Sequence, residues 1–168
     1  MAAAVSFKHA DDVIAHLAAL MPQLTDPLLE PKYVGFAAVA AVTVYEVAIK
    51  ETFYEFASRK HQILEVFTKA HFDRLNGRIK VNLITDEYLP RFGSKYVLRF
   101  KKDFDTTCVS YLSQNHRDIK SSYANIITWR NEFAHQGGIN RTVTFSEVVT
   151  AYEDGKEVIY CLGRALQR

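Results

Sequence analysis

The chain has 168 residues, of which 48% are hydrophobic and 24% are charged. A chain of this length buries a core without disulfides or metal ions, and it suits a single domain over residues 1–168. The formal net charge of +2 is too small to predict nucleic-acid binding by itself. Any role in RNA chemistry must therefore rest on local groups of residues.

The cysteines and the N-terminal sequence indicate the setting in which the chain works. Cys108 and Cys161 form neither a disulfide framework nor a metal-type spacing, which is typical of a reduced, cytoplasmic environment. The N-terminus has no basic segment leading into an apolar run, so we expect no signal peptide. Residues 34–49 are apolar, but polar residues interrupt them too soon for a membrane span. We therefore expect a cytoplasmic protein without a membrane partner.

The first 31 residues predict a short helix followed by a proline-rich connector. Asp11 is a candidate N-cap, and apolar residues recur at helical spacing from there to Leu20. Three prolines then interrupt the pattern, which indicates an extended connector (Pro22, Pro27 and Pro31). We expect the helical core to occupy residues 32–168.

Two helices are predicted next in the chain. Residues 32–59 are apolar over most of a helix circumference, so this helix is expected at the centre of the core. Apolar residues also repeat at helical spacing over residues 61–75. Asn76 and Gly77 are expected to end that helix, because glycine readily adopts the left-handed conformation that follows a helix.

The second half of the chain predicts a short helix and three longer ones. The short helix covers residues 83–89, and longer helices cover residues 95–112 and 118–135. The last helix opens at Thr144, where Thr144 and Glu147 form a capping box. The alternation of apolar and polar residues that is typical of strands is weak throughout the sequence. The sequence therefore predicts an all-α, single-domain bundle of five or six helices.

The end of the helix at residues 118–135 carries the side chains that indicate chemistry. Arg130 and His135 are five positions apart, so on an ideal helix they point about 140° apart. Asn131 and His135 are four positions apart and share a face, so Asn131 is expected to orient the histidine ring through a hydrogen bond. Arg130 must then reach around the helix or meet the site of a second subunit.

This combination of side chains suits the cleavage of an RNA phosphodiester. Histidine acts readily as an acid or a base near neutral pH, and arginine binds phosphate oxygens with a planar array of donors. RNA supplies its own nucleophile, the 2′-hydroxyl, so a base and a cation suffice. The sequence has no metal-ligand spacing and no glycine-rich phosphate loop, so we expect neither a metal nor a cofactor.

Two motifs in the chain resemble those of a known superfamily. The Arg-Asn-x-x-Ala-His pattern at residues 130–135 resembles the Arg-x4–6-His motif of the HEPN superfamily. Glu46 and Lys50, in the predicted central helix, resemble the Glu-x3-Lys pair of several HEPN toxins. Two further stretches are similar to the MAE_28990/MAE_18760-type branch of the superfamily (residues 91–97 and 152–158).

The resemblance implies a helical bundle that forms a homodimer, with the motif helices facing each other around a composite active site. It implies a metal-independent endoribonuclease, either a toxin restrained by a cognate antitoxin or an effector of antiviral, phage-directed defence. In such an enzyme Arg130 would hold the phosphate, His135 would be the acid or base, and Asn131 would orient the site. Glu46 and Lys50 would support the site from the neighbouring helix.

The same residues also have simpler interpretations. Arg130 and His135 are favourable at any helix C-terminus because of the helix dipole, and Glu46 with Lys50 is an ordinary i,i+4 ion pair. Basic residues elsewhere are typical of a solvated face and would contact the RNA backbone only if the chain binds RNA (Arg99, Lys101, Lys102, Arg117 and Lys120). The alternative function is a non-catalytic helical module that binds a nucleotide or a regulatory protein.

Overall fold

The structure, a computed structural model, describes residues 2–140 and 142–167. Within these ranges the chain forms α-helices and no strand, which confirms the all-α prediction. The helices are α1 (Ala2–Leu20), α2 (Glu30–Ser58), α3 (Gln62–Phe72), α4 (Val81–Leu83), α5 (Ser94–Asn115), α6 (Ile119–Gln136) and α7 (Phe145–Gln167). Helix α4 is a single turn, so the six longer helices agree with the predicted number.

The short helix predicted at residues 83–89 is part of a longer helical run. After α4 the chain continues as a π-helix over Ile84–Tyr88 and then as a 3-10 helix over Leu89–Phe92. Gly93, with a φ of 123°, ends this run and precedes α5. The connection between α3 and α5 is therefore ordered helix and forms one wall of the bundle.

Helix α2 is the centre of the bundle and packs against α1, α3, α6 and α7. It is also long and apolar enough to cross a membrane by length and composition alone. However, 56% of its most apolar window is buried inside the fold, and a core helix passes the same test. Its apolar circumference is thus explained by the four helices that surround it.

Helix α1 begins well before the predicted N-cap, so the prediction for Asp11 was wrong. The apolar face of α1 already includes Phe7 and Ala10, which are 2% and 0% exposed. Asp11 lies inside this helix, and its carboxylate accepts hydrogen bonds from the Tyr152 hydroxyl at 2.7 Å and the Lys156 ammonium at 2.9 Å. The acidic side chain that resembled a cap is a contact between α1 and α7.

The proline-rich stretch before α2 differs from the predicted connector. Residues Met21–Gln23 form a 3-10 turn, and α2 begins at Glu30 with Pro31 in its first turn. A proline fits this position because the first helical N–H groups have no partner within the helix. Only the residues between these two elements form a connector.

Helix α3 is present, but it ends at Phe72 and turns two of its apolar residues outward. Ile63 and Phe67 are 61% and 70% exposed, whereas Thr68 and Phe72 are buried. The Phe72 ring stacks on Phe53 of α2 at 4.6 Å, which sets the buried face. Helical spacing in the sequence identified the helix but not the face that packs.

Local capping residues fix the starts of α6 and α7, and of these the sequence predicted the box of Thr144 and Glu147, which is confirmed. Asp118 accepts hydrogen bonds from the amides of Lys120 and Ser121, and its hydrogen bond with the Ser121 hydroxyl lowers the pKa of Asp118. The Thr144 amide donates to the Glu147 carboxylate at 2.7 Å, and the Glu147 amide donates to the Thr144 hydroxyl at 3.2 Å. These local signals fix where the two helices begin.

Helices α2 and α7 approach closely where a tyrosine meets a glycine. The buried Tyr45 hydroxyl of α2 donates a hydrogen bond to the Tyr152 carbonyl of α7. A Cβ atom added at Gly155 would overlap the Tyr45 side chain. The Tyr45 ring also stacks on Tyr123 at 5.4 Å and on Tyr152 at 5.7 Å. Gly155 therefore makes room for the aromatic centre of the bundle.

Replacing this glycine tests the close contact. Gly155→Ala is expected to lower the free energy of unfolding by about 1–3 kcal/mol, because the new methyl group overpacks against Tyr45. Gly163→Ala is the matched control on the same helix, since nothing lies within 4 Å of its added Cβ. The control is expected to raise the free energy of unfolding by roughly 0.5–1 kcal/mol. Urea denaturation measures both values, and equal effects would contradict the packing.

Candidate active site

The position of α6 along α2 is fixed by two aromatic contacts. At one end the Phe133 ring lies 5.3 Å from Phe36 and directly against Gly35, which leaves no room for a side chain there. At the other end Tyr123 stacks on Tyr45. The two helices therefore run antiparallel, and the direction of every α6 side chain follows from this register.

Arg130 reaches inward to the connection between α3 and α4. It is half-buried, and a Cβ atom added at Gly77 would lie 2.9 Å from the Nη2 atom of Arg130. Gly77 has a φ of 77° and Asn76 a φ of 46°, so both lie in a left-handed turn. Helix α3 has already ended at Phe72, so the prediction that these two residues end it was wrong. The Arg130 Nη1 atom also donates a hydrogen bond to the Asn131 Oδ1 atom at 2.9 Å. The guanidinium is thus held between a glycine backbone and a carboxamide.

Glu46 and Lys50 hold the other side of the same turn. The Glu46 Oε2 atom accepts the Gly77 N–H at 2.7 Å, and its Oε1 atom pairs with the Lys50 ammonium at 3.0 Å. Lys50 also donates to the Asp73 carbonyl at 3.2 Å. The Glu46 and Lys50 side chains are 18% and 20% exposed, respectively. The pair therefore attaches the segment that follows α3 to α2, directly beside Arg130.

His135 lies outside this cluster. It is exposed in the last turn of α6, and its ring has no hydrogen-bond partner among the described residues. Asn131, which was expected to orient the His135 ring, has its Oδ1 atom hydrogen-bonded to Arg130 instead. Phe133, two residues before His135, packs at Gly35, whereas Glu46 lies roughly 16 Å further along α2 at the helical rise. The end of α6 that carries His135 is therefore distant from Glu46. One chain gathers four of the five candidate residues around Gly77 and leaves His135 facing solvent.

The comparison with known families agrees with this arrangement of helices. The RiboL-PSP-HEPN family matches residues 6–168 of the chain. The chain belongs to this family. The prediction of a HEPN domain is confirmed, whereas the narrower resemblance to another branch is not. No curated protein and no solved structure matches the chain.

HEPN domains are often ribonucleases, so membership indicates an RNA-related, nuclease-like domain. The cluster around Gly77 lies on the two helices that carry the two family-like motifs, α2 and α6. Among the described residues, no three histidine, cysteine, aspartate or glutamate side chains gather as a metal-binding group would. The side chains gathered around Gly77 are the Arg130 guanidinium, the Asn131 carboxamide, the Lys50 ammonium and the Glu46 carboxylate.

Arg117, one of the basic residues considered as RNA contacts, is structural in this HEPN domain, whereas Lys120 forms only an exposed ion pair. Arg117 donates two hydrogen bonds from Nε to the fully buried Asp154 carboxylate, at 3.0 and 3.1 Å. Tyr111 and Ser122 donate to the same carboxylate, and the hydrogen bond to Asp154 raises the pKa of Arg117. Lys120 pairs with the Asp105 carboxylate at 3.0 Å. The Asp154 network ties α5, α6 and α7 together beneath the surface.

Sequence reasoning missed the second role of Gly77. It identified Gly77 only as the residue after a helix, and the contact with Arg130 is 53 positions away along the chain. The available signal was Glu46, an acidic residue in the most apolar helix, which needs nearby donors. One of those donors is the Gly77 N–H.

Alanine at Gly77 tests whether this turn positions Arg130. Gly77→Ala is expected to lower the free energy of unfolding by about 1–2 kcal/mol because of its positive φ, and to displace the flexible end of Arg130. Gly137→Ala has a similar φ of 69° but nothing within 4 Å, so it shares the backbone cost and leaves Arg130 in place. The Nε–Hε resonance of Arg130 is the readout. An Arg130 resonance that shifts equally in both variants, or in neither, would contradict the contact.

Proposed function

We propose that this HEPN domain is a cytoplasmic, metal-independent endoribonuclease that cleaves RNA through attack of a 2′-hydroxyl. The observation that supports this most is the held guanidinium of Arg130 on the same helix as an exposed histidine, His135. A fixed cation that is half-buried keeps its charge and its geometry without reorganising around the substrate. Histidine is the side chain that most readily serves as an acid or a base near neutral pH, and His135 is exposed to solvent.

The reaction uses only side chains of this site. His135 takes the proton of the 2′-hydroxyl, the O2′ atom attacks the adjacent phosphorus, and the P–O5′ bond breaks. The leaving O5′ atom takes up the proton that His135 accepted, so the products are a 2′,3′-cyclic phosphate and a free 5′-hydroxyl. Arg130 faces the phosphorane oxygens and neutralises the charge that develops there. Asn131 is a positioning residue, because its carboxamide holds the guanidinium.

A homodimer completes the site in this proposal. Arg130 and His135 point about 140° apart on one helix, so a single α6 does not present both side chains to one phosphate. Exposed apolar side chains lie on one face of α2, with Val47 at 41% exposure next to Glu46 and Phe36 at 49% exposure about three helical turns away, where Phe133 packs. A two-fold partner that covers this surface would bring the His135 of one copy towards the Arg130 of the other.

The biological role is proposed from the family resemblance. The pair of Glu46 and Lys50 resembles the Glu-x3-Lys pair of several HEPN toxins. We therefore infer a toxin or a phage-defence effector, with a cognate antitoxin or another regulatory protein as its partner. The alternative is a non-catalytic helical module, which would keep the fold and the Gly77 cluster but turn over no RNA.

Cleavage of RNA in the presence of excess chelator tests the proposal. The wild-type protein is expected to cut RNA at an unchanged rate with EDTA and to leave 2′,3′-cyclic phosphate ends. His135→Ala is expected to lower the rate by about 10²–10⁴-fold, because it removes the general acid and base. Arg130→Ala is expected to lower the rate by a similar factor, because it leaves the phosphorane charge unbalanced.

His116→Ala is the matched control, since His116 is also exposed but lies at the end of α5. It is expected to cut RNA at the wild-type rate. Loss of activity on chelation would contradict the mechanism, and so would full activity in both site variants. Folded, dimeric wild-type protein without any RNA turnover would favour the non-catalytic module.

A further inference from the structure

A pocket of about 620 Å³ lies beside the Gly77 cluster, between α4 with its π-helical continuation, α5 and α6. Its floor is apolar and lies over the core side chains of Phe100, Phe104, Tyr123 and Ile127, which are at most 4% exposed. This volume is within the range of small-ligand sites, which are mostly apolar with a few polar groups. The polar groups here include Asn82, whose carboxamide both donates and accepts hydrogen bonds.

The mouth of this pocket is positively charged. Lys80, Lys101 and Lys120 line it, against one carboxylate, that of Asp105. Lys120 already pairs with Asp105 and lies 5.4 Å from the centre of the Phe104 ring. Lys80 and Lys101 are exposed and form no ion pair with the described residues. Two cations are thus left unneutralised above an apolar floor.

The pocket is continuous with the proposed site along two segments. Lys80 follows Gly77 by three residues, and Gly77 contacts Arg130. Ile127 precedes Arg130 by three residues on α6, so the two side chains lie on the same side of the helix about one turn apart. A strand of RNA held at Arg130 would therefore reach the pocket with an adjacent nucleotide.

We propose that this pocket binds one nucleotide of an RNA strand, with the base on the apolar floor and its phosphate between Lys80 and Lys101. The assignment of the strand as a substrate rests on the proposed function, whereas the binding of a nucleotide does not. A planar base suits an apolar floor with aromatic rings beneath it, and a phosphodiester suits the two ammonium groups that form no ion pair with the described residues. An acidic protein segment matches the charge but has no use for the apolar floor.

Two binding measurements test the pocket without any cleavage. The first follows the amide resonances of Ala124 and Ile127 while 5′-mononucleotides, ribose 5-phosphate or inorganic phosphate are added to the wild-type protein. The nucleotides are expected to shift these resonances, and the two probes without a base are not. The second measures the Kd of a 2′-O-methylated hexanucleotide, which resists 2′-hydroxyl attack, by fluorescence anisotropy.

Three variants sharpen the second measurement. Lys101→Ala removes a cation at the mouth, and Ala124→Trp fills the pocket while keeping every charge. Each is expected to weaken hexanucleotide binding at least about tenfold. Lys102→Ala is the matched control, because Lys102 is the exposed neighbour on α5 that lines a different groove with Asp103. It is expected to change the Kd less than about twofold.

If Lys101→Ala and Lys102→Ala weaken hexanucleotide binding equally, the proposed pocket is contradicted, and diffuse attraction of the strand to a basic surface explains the binding instead. Binding of a polyglutamate peptide at the same resonances, with no response to nucleotides, would overturn it in favour of an acidic protein partner. The outcomes for the two proposals are separate. Nucleotide binding without RNA turnover would contradict only the proposed ribonuclease activity. RNA cleavage with a KM that is unchanged in Lys101→Ala would contradict only the proposed nucleotide pocket.

Discussion

The carboxylate of Glu46 accepts the Gly77 N–H at 2.7 Å from within the most apolar helix of the chain. A carboxylate in such a helix needs compensation, which Lys50 and the Gly77 amide supply. The same hydrogen bond fixes the left-handed turn at Gly77 close to α2. Arg130 then lies against a backbone that carries no side chain. The direction of the guanidinium on α6 thus depends on an acidic residue of a different helix.

Helix α6 divides the site into an inner and an outer half. Arg130 points inward and is held by Asn131, and His135 points to solvent. The sequence predicted Arg130, Asn131 and His135 as candidates from their local spacing, and Glu46 and Lys50 from their resemblance to a family motif. It did not predict that Asn131 would bind Arg130 rather than His135, because a hydrogen bond to either side chain satisfies the same carboxamide. It also did not predict the Gly77 contact, which depends on how three helices pack.

Much of the fold was accessible from the sequence, because helices are signalled by local patterns. The Thr144 and Glu147 capping box is such a pattern, and it is confirmed. Asp11 has the same chemistry as a cap, but its partner Tyr152 lies 141 residues away, so only the tertiary structure shows its role. Gly155 is unfavourable by helix propensity, yet it makes room for the Tyr45 side chain of α2. Long-range packing decides such cases, and one sequence carries no direct record of it.

Mixing two inactive variants tests most directly whether the site is shared between two copies. Arg130→Ala and His135→Ala, co-expressed with different tags, form heterodimers in which one copy keeps Arg130 and the other keeps His135. A site completed across the dimer interface is restored once in each heterodimer, so the mixture is expected to recover about a quarter of the wild-type RNA cleavage rate. A mixture as inactive as either variant alone would contradict the composite site, because both residues would then be needed in one chain.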